Sequence, residues 1–307
     1  MTLHRLDPAP HLVTDAFDPG LPPVLTVEPG DELVVRTLDA AGHLRRQAFP
    51  GDPAERLLPG ADGHCLAGPV EVRGARPGDV LAVHVRSLRT DGWGWTVAGA
   101  RDTPLNRRLG TTEPSWLLWD VDDEAGTATE QHGFTVDTAP FLGVVGTTPA
   151  EPGRHSTVPP RTGTGGNVDC RSLVAGSTLF LPVQVPGALL CLGDGHAAQG
   201  DGEVSGTAVE VGMTTHLSVD LVRDPPLRSV HATTPTERIA FGFSADLNAA
   251  TEDALDALVT WLAADLDLPR STALALASAT VDLRVTQVAN ETWGVHAALA
   301  HDALRRA

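Results

Sequence analysis

The sequence predicts a mainly β protein: a β-sandwich or barrel-like body of short strands with a small C-terminal α+β portion. Three observations predict it. Glycine and proline, 31 and 24 of the 307 residues, punctuate positions 1–235 about every eight to ten residues. Between them lie short runs of alternating character, at 33–38, 80–85, 204–211 and 216–222. Evenly spaced short runs of this kind belong to sandwiches and barrels, whereas parallel βαβ folds interpose helical patterns. The third observation is a change of period near the C-terminus, where apolar residues recur at helical spacing.

The strand openings share a shape. Glu28-Pro29-Gly30-Asp31, Arg76-Pro77-Gly78-Asp79 and Val174-Ala175-Gly176-Ser177 each place glycine third and begin a strand two residues later. Proline presets φ for the turn and glycine takes φ > 0, so each segment reads as a tight turn into a strand, either from duplication or as a generic entry. Near the C-terminus, Thr251-Glu252-Asp253 offers an N-cap with acids in the first turn, and Leu255, Leu258, Val259, Leu262 and Leu266 form one helical face. Pro269 is expected to end that helix, Ser271 to cap a second through Ala279, and 281–286 to form an alternating strand. A glycine-rich loop at 162–167 lacks the strand–helix context of a nucleotide-binding turn. The chain therefore divides into a mainly β body, 1–235, and an α+β portion, 236–307, packed together as one structural unit.

Composition removes whole chemistries. Every one of the 22 basic residues is arginine, so Schiff-base and P-loop chemistry, which need an ε-amine, are excluded. Amide hydrolysis by a Ser–Ser–Lys relay or a Glu–Lys–Cys triad is excluded for the same reason. A formal charge of −17 argues against nucleic acid as a partner and suits a small neutral substrate. Cys65, Cys170 and Cys191 lie far apart with no C-x-x-C spacing, which fits neither a disulfide framework nor a zinc finger and suits a reducing cytoplasm. The N-terminus lacks the apolar stretch of a signal peptide, and the longest apolar runs are broken by Pro182 and Pro186, so no membrane partner is expected.

The densest polar cluster is Gly193-Asp194-Gly195-His196-Ala197-Ala198-Gln199-Gly200-Asp201-Gly202-Glu203. Glycine in such number costs backbone entropy without burying anything, which points to a constrained, functional loop. Asp194 and His196 are two apart, so on an extended strand they share a side, as paired metal ligands must. Glu203 can face the same cavity as a base. A solvated acidic hairpin or a calcium-binding turn has the same composition. Asp39, at the end of one strand, and His64, in a turn, could reach the same cavity and leave one position open for water, whose pKa at such a centre falls to roughly 7. Cys170 has only Arg171 as a charged neighbour in sequence and reads as structural. His84, within a strand, reads as a satisfied core or interface residue.

With these segments in view, the chain resembles the acetamidase/formamidase family. The matching residues are 165–169, 175–183, 185–188 and, most specific, 193–203. Weaker echoes run through 26–39, 63–79, Trp93-Gly94-Trp95, Pro140-Phe141-Leu142-Gly143, Gln287 and Gly294-Val295-His296-Ala297. The resemblance spans most of the chain in order. It implies a mainly β homodimer that hydrolyses short linear amides of the formamide and acetamide type to carboxylate and ammonia. It also implies a divalent metal, zinc with calcium as the alternative. Carried over residue by residue, Asp39, His64, Asp194 and His196 are the expected ligands and Glu203 the general base, with Asp194 and His196 also catalytic. Asn167, Asp169 and Gln199 are expected to position substrate, and the N–H groups of Gly165 and Gly166 to hold the oxyanion. Where the family commonly has His-Pro and a Thr before Gly68-Pro69, this chain has Cys65 and Ala67, and His84 replaces a common acid; these departures bear on the substrate. A non-catalytic β-sandwich binding a metal or small polar ligand, and an amidase of a larger or cyclic amide, are the alternatives.

Overall fold

A computed structural model describes residues 1–305. Strand accounts for 41% of the chain and helix for 12%, which makes the protein mainly β. Among the described residues, 18 strands join in one sheet, and Ala16–Phe17 pairs separately with His155–Ser156. The hub is the strand Glu210–Val222, antiparallel to Glu32–Thr37, Val80–Ala98 and Leu190–His196. Leu190–His196 pairs in turn with Leu66–Val72 and with Phe141–Gly146, and the latter with Gly165–Asn167. Leu33, Val70, Leu81, Phe141, Leu181, Leu192, Met213 and Phe241, all from different strands, share one buried cluster, as the layers of a sandwich or barrel do.

The three strand-opening turns are alike in detail. Gly30, Gly78 and Gly176 have φ of 85°, 97° and 90°. In each turn the N–H of the next residue donates to the carbonyl three residues back, Asp31 to Glu28, Asp79 to Arg76 and Ser177 to Val174. Strands then begin at Glu32, Val80 and Thr178. The expected short strand at 80–85 is the first part of the long strand Val80–Ala98, which carries Trp93 and Trp95 toward the site.

The expected strand at 204–211 is mostly loop. Glu203 and the glycines at 202 and 206 take φ of 41°, 100° and 83°, coiling the backbone, and Val204 is exposed. Pairing resumes only at Glu210, from which one strand runs through to Val222. Conversely, the second half of the glycine-rich segment at 162–167 is the strand Gly165–Asn167.

The strand Glu237–Ser244 pairs with His231–Thr233 on one side and Trp293–Ala300 on the other, and the latter pairs with Val281–Gln287. The helix Leu247–Leu266 covers these strands through Ala250, Ala254, Leu258 and Leu262. At Gly242 the helix comes so close that a Cβ would lie 2.0 Å from the Ala250 carbonyl oxygen. The helix begins earlier than expected because Asp246, not Thr251, is its cap: the Asp246 side chain accepts from the N–H groups of Asn248 and Ala249. Asp267, in the left-handed conformation, ends it two residues before Pro269. The second helix is Arg270–Thr280 with Pro269 at its N-cap, so Ser271 lies inside it. Among the described residues no helix is long and apolar enough to cross a membrane.

Candidate active site

The site forms where the strand pairings place His196 opposite Glu210 and Phe141 opposite His196. His196 is fully buried; its Nε2 lies 3.3 Å from Glu210 Oε2 and 3.5 Å from Asp194 Oδ1. The Gln199 amide sets its orientation: Nε2 of Gln199 donates to the Asp169 carbonyl at 2.7 Å, so Oε1 is left to accept from His196 Nδ1 at 2.9 Å. His196 therefore carries a proton on Nδ1 and turns Nε2 toward the two carboxylates. Asp169 and Glu203 close in from another side, their ligand atoms and one of His196 all lying within 4.8 Å of one another, as do those of Asp194, His196 and Glu210.

These atoms lack the hydrogen bonds that buried polar groups normally have. Asp169 Oδ1 and Oδ2, Asp194 Oδ1, His196 Nε2, Glu203 Oε2 and Glu210 Oε2 are all buried and unpartnered. Burial pushes Asp169 up to about 8, aided by the Asp194 charge and opposed by His196. Burial likewise raises Glu210 to about 7 against the pull of His196, and raises Glu203 with help from Asp169. Asp194 goes the other way: burial opposes its charge, but His64 and His196 hold it well below the usual carboxylate range. Burial disfavours the His196 cation too, yet Glu210 and Asp194 overcome that and raise it. Four buried acids gathered around one imidazole Nε2 call for a cation or for protons. The donor set, one nitrogen and several carboxylate oxygens, fits a divalent metal.

The backbone contributes strain and space. Asp169, Asp194 and Glu203 have φ of 48°, 59° and 41°, a conformation non-glycine residues seldom adopt and one that collects at functional sites. Gly143 leaves the room: a Cβ there would stand 2.6 Å from Asp194 Oδ2, 2.7 Å from Asp169 Oδ1 and 2.8 Å from His196 Cε1. Its carbonyl accepts from the N–H groups of Val168 and Asp169.

Above this floor lies a cavity of about 260 Å³, lined by His64, Trp95, Asn167, Asp194, Glu203 and Glu210, with Arg56, Asp62, Arg101 and Asn290 also on its walls. Asn167 Nδ2 donates to the Val158 carbonyl at 3.0 Å, which leaves Oδ1 as a buried, unpartnered acceptor. His64 Nε2 is 3.8 Å from Asp194 Oδ2, and its Nδ1 is 3.0 Å from the Thr157 hydroxyl.

The structure thus brings Asp194, His196, Glu203, Asp169, Asn167 and His64 to one place and gives the other expected residues different partners. Asp39 stands apart from the cluster, because its oxygens accept from the N–H and Nδ1 of His43 and from Trp95 Nε1 at 2.9–3.0 Å. It orients a cavity wall instead of offering a free ligand atom. Gln199 spends its amide on His196 and the Asp169 carbonyl. The Gly165 N–H donates to the Arg161 carbonyl, and Gly166 lies in sheet register with Val145. Close packing accounts for Gly165: a Cβ there would lie 2.5 Å from Leu181 and 2.8 Å from the Val145 carbonyl oxygen. Glu210 escaped sequence reasoning, although a lone carboxylate in the apolar run Ala208-Val209-Glu210-Val211 was a signal of a buried charge with a purpose. Burial pushes the thiols of Cys65, Cys170 and Cys191 up to about 12, so none is a thiolate nucleophile.

The acetamidase/formamidase family model matches residues 5–156 and 152–292. An acetamidase of Mycolicibacterium smegmatis is 29% identical over 67% of this chain and 65% of its own length. The chain spans between 58% and 65% of the length of the curated relatives it matches. The crystal structure of an acetamidase from Bacillus halodurans superposes with a TM-score of 0.86 at 26% identity, over 96% of this chain and 97% of that one. An acetamidase from Yersinia enterocolitica gives 0.86 at 28% identity, over 99% and 93%. With the family model matching both segments and so most of the chain, the chain belongs to the acetamidase/formamidase family.

Proposed function

We propose that the protein is a metal-dependent amidohydrolase that cleaves short linear amides to a carboxylate and ammonia. The observation that carries this is the convergence of His196 Nε2, Asp194 Oδ1 and Glu210 Oε2, buried and unpartnered, beneath a cavity open to a small molecule. Asp194, His196 and Glu210 would hold the cation, with His64 able to extend the set from the cavity wall. The imidazole donor favours zinc over calcium, which prefers an all-oxygen shell. When bound, such a metal supplies Lewis-acid polarisation of the substrate carbonyl and neutralises the buried charge.

The rest is the work of this chain's side chains. Asn167 Oδ1 accepts a hydrogen from the substrate NH₂, which turns the carbonyl toward the floor. Glu203, made more basic by burial, takes a proton from water as the water oxygen bonds to the carbonyl carbon. It returns that proton to nitrogen as the C–N bond breaks, releasing ammonia. Gln199 keeps the His196 tautomer fixed throughout.

The three cysteines are free and buried, which suits the cytoplasm, and the homodimer implied by the family would be seen by sedimentation. Ammonia release from formamide and acetamide, measured after chelation and after zinc add-back, tests the proposal. Glu203→Gln and Glu210→Gln should each lose at least about a hundredfold in kcat/KM. Full activity in the chelated protein sinks the metal role, and absence of turnover on every amide favours a non-catalytic binding module.

A further inference from the structure

The cavity is larger than acetamide needs. At roughly 30 Å³ per water-sized group, 260 Å³ holds about eight or nine such groups, while acetamide has four non-hydrogen atoms. Its charge is also divided. The floor is lined by carboxylates, and the wall carries two guanidinium groups from separate parts of the chain. Arg56 sits on the loop that bridges back to His43, and Arg101 follows the end of the strand Val80–Ala98.

Neither guanidinium has a carboxylate within ion-pair distance among the described residues. Arg45, Arg73, Arg154 and Arg284 pair with Asp52, Glu28, Asp15 and Glu237. Of the arginines without an ion pair among the described residues, Arg56 and Arg101 are the two that line this cavity. Asp62 is exposed and the one other charged side chain away from the floor, so the mouth remains net positive.

We infer that the substrate is an amide carrying a carboxylate at its far end, a monoamide of a short dicarboxylic acid, with Arg56 and Arg101 as its specificity-determining residues. The division of charge also orients it. The acidic floor repels the carboxylate and the arginines hold it at the mouth, so the carboxamide enters first and meets Asn167 and Glu203. This rests on the amidase reading above and departs from the neutral substrate that net charge alone suggested.

The experiment compares ammonia release from succinamate and from butyramide, which match in length and differ in charge. Wild type should favour succinamate in kcat/KM by about tenfold or more, and the preference should fall with added salt. In Arg56→Gln and Arg101→Gln that ratio should drop about tenfold, while Arg101→Lys should retain more of it than Arg101→Gln. Equal turnover of the two amides, or a ratio unmoved by the substitutions, overturns the inference while leaving the amidase reading intact. Calorimetric titration with succinate separates the two ideas. Succinate binding that weakens in both glutamine variants, with no amide turned over by wild type, would fault the amidase reading and keep the anion site. No succinate binding to wild type removes the anion site.

Discussion

Gly143→Ala adds a single methyl group to a strand residue whose φ is ordinary, so the backbone has no reason to object. The methyl carbon would stand 2.6 Å from Asp194 Oδ2, where ordinary contact begins at 3.4 Å, so that oxygen must retreat by about 0.8 Å. Asp169 Oδ1 and His196 Cε1 face the same methyl at 2.7 and 2.8 Å and must also give way. All three side chains are buried and cannot swing into solvent. Overpacking of this kind costs about 1–3 kcal/mol in stability. Displacing reacting groups by nearly an ångström costs about a hundredfold in rate. The expected result is a folded protein that melts a few degrees lower, binds zinc at least about tenfold more weakly and loses about a hundredfold in kcat/KM for amides. Circular dichroism, zinc titration and ammonia release measure the three. Gly200→Ala is the control, since nothing lies within 4 Å of a Cβ there although it sits between His196 and Glu203 in sequence. Zinc affinity and activity within threefold of wild type in Gly143→Ala would refute the claim that this glycine makes room for the site.

Two further outcomes follow from the structure. Gln199→Leu removes the acceptor on His196 Nδ1 and should weaken zinc binding about ten- to a hundredfold, whereas Gln199→Glu, which keeps an acceptor, should weaken it less. Burial, against the hydrogen bond to the Ser229 carbonyl, depresses His231 from 6.5 to about 4. The unfolded chain therefore binds a proton below about pH 6.5 that the folded protein refuses until about pH 4, and stability falls as pH drops through that window, by about 2 kcal/mol at pH 5. In His231→Phe, which can keep the stacking on Phe180, urea midpoints at pH 7 and pH 5 should differ by correspondingly less than in wild type. An unchanged difference would show that His231 does not carry this pH dependence.

What was legible in the sequence was whatever short-range chemistry dictates. The turns at Gly30, Gly78 and Gly176 could be read because proline and glycine fix φ residue by residue. The loop at 193–203 could be read because its chemistry is packed into eleven consecutive positions. The helix start was misplaced by competition between two local caps, Asp246 and Thr251, of which Asp246 reaches the free N–H groups. The strand at 204–211 was misread because alternation without a partner strand does not make a sheet.

Only the tertiary structure decided which polar side chains became a site. Asp39 lies just past the end of one strand and Glu210 at the start of another, and nothing local tells the two acids apart. Strand register sets Glu210 opposite His196, while the packing of Trp95 and His43 consumes Asp39. The same holds for Gly143, an ordinary strand glycine until Asp194 and His196, from another strand, and Asp169, just past a third, arrive around it. Turn geometry is a property of neighbouring dihedral angles. A ligand cluster depends on ångström distances between strands far apart in the chain, and on the desolvation that the whole fold imposes on the groups it brings together.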